Sequence, residues 1–190
     1  MTDSSNQPDD YKTRENSYNQ LNHLLTNSPT EELLDEIGAN LPHYMCDNNQ
    51  SCQRAALSLC ETFFKQSDDI NYAEFADILL HRCFDASPNQ TMSLLDTCIK
   101  ADYNGVSPLI YENLQNRSEL EIQSILGVII SYLATLSQRS TDDAEDIIKN
   151  ISPLTENSND EIKNQAVSII NSAKIICGTA SSRTINETVS

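Results

Sequence analysis

One short pattern recurs four times along the chain and constrains its fold more than any other feature. An amphipathic stretch leads into a tight turn carrying Asp or Asn. A second amphipathic stretch follows, carrying a small residue and then an aliphatic one. The turns are Cys46-Asp47-Asn48-Asn49, Phe84-Asp85-Ala86-Ser87, Gln115-Asn116-Arg117-Ser118 and Glu156-Asn157-Ser158-Asn159. The small-then-aliphatic steps are Ala56-Leu57, Ser93-Leu94, Ser124-Ile125 and Ala166-Val167, lying nine, eight, eight and nine residues beyond the turn residue. Self-similarity at a period of roughly 20–50 residues marks stacked repeats, in which each unit leaves an apolar face that only its neighbour can bury.

The apolar spacing supplies the helices. Leu33, Leu34, Ile37, Leu41, Tyr44 and Met45 form one helical stripe after Thr30, an N-cap with Glu31 and Glu32 in the favoured first turn. Pro42 is expected to kink or end that helix. Its partner covers about 50–65. The second pair covers about 71–83 and a helix opened by Pro88, with Asn104-Gly105 breaking the chain afterwards. A short helix over 107–114 and a long apolar one over 118–136 follow, and the latter is expected to be covered on several sides. The last pair runs from Thr141 to Leu154 and from Asn159 to Cys177, with Gly178 as the terminating residue. Helical pairs are therefore expected over about 30–65, 71–101, 106–137 and 141–177. They form one domain over 17–178, with a disordered acidic tail at 1–16, a short helix from about Tyr18, and a loose tail at 179–190. A small residue at Ala56, Ser93, Ser124 and Ala166 is expected to let neighbouring helices cross closely.

The segments Asp47 to Leu57, Asp85 to Leu94, Asn116 to Ile125 and Asn157 to Val167 resemble the HEAT repeat, with armadillo repeats as near relatives. The resemblance covers about residues 30–177. It implies an all-α, right-handed superhelical solenoid of about four helix pairs, whose turns line one ridge. HEAT repeats commonly carry Arg or Lys three residues before the small position, pairing with turn Asp residues; those positions here are Gln53, Gln90, Glu121 and Lys163. The turn residues are accordingly expected to act mainly as helix caps. Within that family the layout looks somewhat like a tubulin-binding TOG domain, which implies a Trp in the first turn and basic residues in later ones. This chain has no Trp, and its turns offer Arg117 and, nearby, Arg54.

The chain carries 28 Asp and Glu against 12 Lys and Arg, a net charge of −16. Nucleic-acid affinity comes largely from cations neutralising phosphates, so direct nucleic-acid binding is not expected, nor is attraction to an anionic membrane. The expected partner is a protein with a basic surface or peptide. Six cysteines sit mostly within apolar stripes and no apolar leader precedes them, so a reducing compartment, cytoplasm or nucleus, is expected.

Chemical motifs are sparse. His43, Cys46 and Cys52, and separately His81 and Cys83, lack the doubled short spacing of a zinc site. Asp142, Asp143, Glu145 and Asp146 crowd a helix start without the pattern of a calcium loop. Tyr103, Tyr111 and Tyr132 are read as core edges with hydroxyls reaching water. No nucleophile elbow or phosphate loop occurs. The expectation is a non-enzymatic interaction module without cofactor or metal, an adaptor or scaffold, or a subunit of a larger assembly. Tubulin binding is the alternative. The partner-binding candidates are the repeat turns: Asp47, Asn48, Asn49, Asp85, Ser87, Asn116, Arg117, Asn157 and Asn159.

Overall fold

Apolar residues repeating at helical spacing, with caps at the breaks, build helix after helix. The computed structural model describes residues 10–112, 114–136 and 141–187, and among these it is all helical. The helices are α1 (Asp10–Asn27), α2 (Glu31–Met45), α3 (Gln50–Gln66), α4 (Tyr72–Ile78), α5 (Pro88–Ala101), α6 (Tyr103–Tyr111), α7 (Glu119–Thr135), α8 (Thr141–Ile151) and α9 (Asp160–Glu187). A wider π turn at Leu79–Cys83 extends α4, and short 3₁₀ turns follow α6 and α8. All four Asp/Asn turns fall between helices. No helix among the described residues is long and apolar enough to cross a membrane.

The caps follow from the residues. Thr30 accepts the Leu33 amide at 3.2 Å, Asn71 accepts that of Glu74 at 3.3 Å, and Ser118 with Glu121 forms a reciprocal capping box. The described residues up to Leu94 form one compact unit and those from Leu95 form another.

In the first unit α3 packs against α1 and α2. Leu25, Ile37, Leu41, Met45, Leu57 and Leu59 are fully buried. Phe63, Phe64, Tyr72 and Phe75 form a chain of tilted and edge-on rings with centroids 5.2–6.1 Å apart. Gly38 permits the close approach of α2 to α3, since a Cβ there would lie 3.1 Å from the Phe63 ring.

In the second unit α9 packs against α7 and α8. Ile125, Leu126, Ile129, Ile147, Ile151, Ile162, Ala166 and Ala173 form its centre. Helix α7 buries seven of its residues, yet Leu120 and Ile130 are open to solvent, so it is covered on most sides rather than all.

Several boundaries differ from expectation for identifiable reasons. Helix α1 begins at Asp10, taking in residues assigned to the tail; residues 1–9 lie outside the described part. Its first turns are fastened by polar contacts, the Arg14–Asp10 and Arg14–Asp47 ion pairs, which leave no apolar period to read. Asn104-Gly105 lies inside α6 instead of breaking the chain. Asp102 caps that helix by accepting the Gly105 amide at 3.0 Å, and a Cβ on residue 105 would lie 2.2 Å from the capping carboxylate. Pro42 is accommodated in the last turn of α2, and Gly178 is passed by α9.

The small-residue rule also needs correction. Ala56 and Ala166 are wholly buried, but Ser93 is exposed and Ser124 only half-buried. Counted from the residue ahead of each helix (Asn49, Ser87, Ser118, Asn159), the inward seventh position is Ala56, Leu94, Ile125 and Ala166. Only α3 and α9 carry a small residue there. The partner aliphatic residues Leu57, Leu94 and Ile125 are buried, whereas Val167 faces solvent.

Candidate functional site

The first and fourth of the four turns spend most of their polar groups on closing themselves. In the first, Asp47 Oδ1 accepts the Asn49 amide at 2.9 Å, and Asn49 Oδ1 accepts those of Ser51 and Cys52 at 2.9 and 3.3 Å. The fourth repeats this: Asn157 takes the Asn159 amide at 2.9 Å, and Asn159 takes those of Glu161 and Ile162 at 2.9 and 3.3 Å. In both, an Asx turn feeds an Asn cap. Ser87 receives the Thr91 amide on its carbonyl, and Arg117 lies 3.8 Å from Glu121. Asn159 also donates to Glu119 at 2.9 Å, joining the fourth turn to the start of α7. Asn48, Asp85 and Asn116 remain exposed.

Asp47 is the most engaged of these. Its carboxylate is only 6% exposed and takes Arg14 Nε at 2.7 Å, Arg14 Nη2 at 3.2 Å and the Tyr18 hydroxyl at 3.3 Å. The Arg14 hydrogen bonds hold the Asp47 carboxyl below the usual carboxylate range, with the Asn49 amide assisting. Burial, with the Asp47 charge, pushes the Tyr18 hydroxyl up to about 12. Gln53 Nε2 donates to the Met45 and Arg82 carbonyls, each at 3.1 Å, and Gln90 Nε2 donates to Ser58 at 3.1 Å.

A second assembly, in the second unit, gathers two groups that look unrelated along the chain. The tyrosines of α6 and α7 hydrogen-bond to the carboxylates of α8 beside a groove of about 620 Å³. Spacing explains the geometry: Asp143, Asp146 and Asn150 share one face of α8, at i, i+3 and i+7. The Tyr103 hydroxyl donates its one proton to Asp146 Oδ2 at 2.9 Å and lies 3.3 Å from the Tyr111 hydroxyl. Tyr132 donates to Asp143 Oδ2 at 2.7 Å, and its ring stacks on Tyr103 at 4.8 Å and 11°. Asn150 Nδ2 holds Asp146 Oδ1 at 2.9 Å. Glu112, Asp142 and Lys149 complete the rim and are exposed.

Burial is the main cause that lifts all three phenol groups above their ordinary range, and the neighbouring carboxylates add to it at each. The hydroxyls are therefore protonated at neutral pH and act as hydrogen-bond donors. Four carboxylates line the groove against one lysine, and Lys149 makes no ion pair with them. Such a cleft focuses a negative potential.

Two consequences are separable. The residues of the groove were visible one by one, as an aromatic set and as an acidic helix start, but their meeting was not, because about forty residues separate Tyr103 from Asp143 and Asp146. Tyr103→Phe keeps the ring stack and removes the hydroxyl. It should lower the stability of this unit by about 1.5 kcal/mol, the range for a hydrogen bond to a charged partner, read as a lower denaturant midpoint; an unchanged midpoint would refute this role.

Among the described residues no three His, Cys, Asp or Glu side chains converge to hold a metal ion. No protein-family model, curated protein sequence or solved structure matches the chain.

Proposed function

We propose that the chain is a non-enzymatic protein–protein interaction module, an adaptor or scaffold, that binds a basic partner on an acidic helical-repeat surface. The observation that carries this reading is charge placed without compensation: −16 overall, with a groove of the second unit lined by four carboxylates and one lysine. Long-range attraction of that kind raises association rates with cationic partners and fades as salt screens it. In this reading the four hairpins are HEAT/armadillo-like repeats of a right-handed solenoid, with the amides of Gln53 and Gln90 standing in for the usual charged ladder. The turns then serve chiefly as caps, and Asn48, Asp85 and Asn116 are the turn residues left open to a partner. Six free cysteines, four of them buried, suit a reducing compartment, cytoplasm or nucleus.

The test is affinity capture with the whole chain at low salt (~20 mM) and near physiological ionic strength (~150 mM), where the Debye length falls to about 8 Å. Basic proteins should be enriched at low salt and retained several-fold less at the higher. Tubulin, acidic like this chain, should not co-sediment with it. Absence of any enriched partner at either salt overturns the reading.

A further inference from the structure

The groove between α6 and α8 is a cavity with a floor, walls and a sign. Its about 620 Å³ falls within the range of small-ligand and peptide side-chain pockets. It lies within a single unit, so its shape does not depend on a second body. Tyr103 and Tyr111 from α6 line it together with Asp142, Asp143 and Asp146 from α8.

We infer that this groove, lined by Tyr103 and Tyr111 of α6 and by Asp142, Asp143 and Asp146 of α8, receives an arginine side chain carried on a short segment of the basic partner. The inference rests on the interaction-module reading and names where that module binds and what it selects. Three features support it. The groove is polar and aromatic at once, which suits a planar guanidinium that stacks on a ring and forks to carboxylate oxygens. The acceptors are held in place before any ligand arrives, Asp146 by Tyr103 and Asn150, Asp143 by Tyr132. An ionised carboxylate offers about four acceptor sites, so one tyrosine and one amide leave capacity on both. Third, the sign of the lining repels anions. Lysine supplies the charge without the planar fork and should bind more weakly.

The experiment uses the full chain, isotope-labelled, titrated at low salt with a Gly/Ser-spaced peptide bearing arginines, and with its lysine and citrulline counterparts. The arginine peptide should shift the signals of Tyr103, Tyr111 and Asn150 most, and the neutral citrulline peptide should shift none. The exposed pair Glu112→Gln with Asp142→Asn should weaken binding about tenfold, while Lys149→Gln should tighten it about threefold, since surface charge contacts carry factors of that size. Tightening by Lys149→Gln is a readout that loss of structure does not produce. Shifts spread over both units with no maximum in the groove, or unchanged affinity in the double variant, overturn this site while leaving the acidic-module reading in place. Failure of every cationic peptide to bind at low salt overturns both.

Discussion

Replacing Ala56 with leucine should destabilise the first unit by about 3 kcal/mol, and Ala166→Leu should do the same to the second, whereas Ser93→Leu should change stability by less than about 0.5 kcal/mol. Ala56 and Ala166 have no exposed surface, and each sits at the inward seventh position of a helix that contacts two others. Helices approach to about 8–10 Å, and a leucine inserted at such a crossing must displace a neighbouring backbone or force itself off its rotamer. Ser93 occupies the position before the inward one and points to solvent. For a unit of this size 1 kcal/mol moves the midpoint by about 4–8 °C, so the two Ala→Leu variants should melt roughly 12–24 °C lower. Thermal unfolding followed by circular dichroism decides the matter. If leucine at Ser93 proves as damaging as at Ala56, the inward register assigned to α3 and α5 is wrong.

That contrast shows where the chain is legible and where it is not. Leu33, Ile37 and Leu41, or Ile147 and Ile151, announce helices because apolar side chains on one face must be buried together, and period alone reveals them. Thr30, Asn71 and Pro88 mark helix starts by local chemistry, and each stands where that chemistry places it. The inward register of the second helix in each pair is harder. Matching the small residues eight or nine places past each turn residue puts Ser93 and Ser124 alongside Ala56 and Ala166, but every cap lies two residues past its turn residue, so the serines fall at the sixth position from the cap and the alanines at the seventh. Residues 10–16 look like a tail because Asp10 and Arg14 are fastened by charge, and charge has no period. The groove fails for another reason. Tyr103 and Asp146 are brought together by how α6 lies against α8, and no single-sequence pattern encodes the partner of a side chain about forty positions away.

Asp47→Ala should lower the stability of the first unit by about 2–3 kcal/mol at neutral pH and loosen α1 selectively. The substitution removes the acceptor for the largely buried Tyr18 hydroxyl, opens the Asx turn closed on the Asn49 amide, and dissolves the charge pair tying α1 to the first turn. Arg14 reaches solvent and is rehydrated, so the turn and Tyr18 account for the larger part. The pH dependence has a definite sign. The folded-state carboxyl of Asp47 titrates below its unfolded value, so the stability it supplies is fully present above the ordinary carboxylate range and is lost as pH falls through the lower, folded value. The gap between parent and variant should therefore be widest at pH 7 and shrink below about pH 4. Glu121, also held low by its cap with Ser118, acts in both proteins and cancels from the difference. Denaturant unfolding at several pH values, with hydrogen exchange across Asp10–Asn27, measures both effects. A difference that stays constant down to strongly acidic pH, or α1 amides exchanging no faster in the variant, would mean that α1 is held by Tyr18 and Leu25 packing alone, with the Arg14–Asp47 pair a bystander.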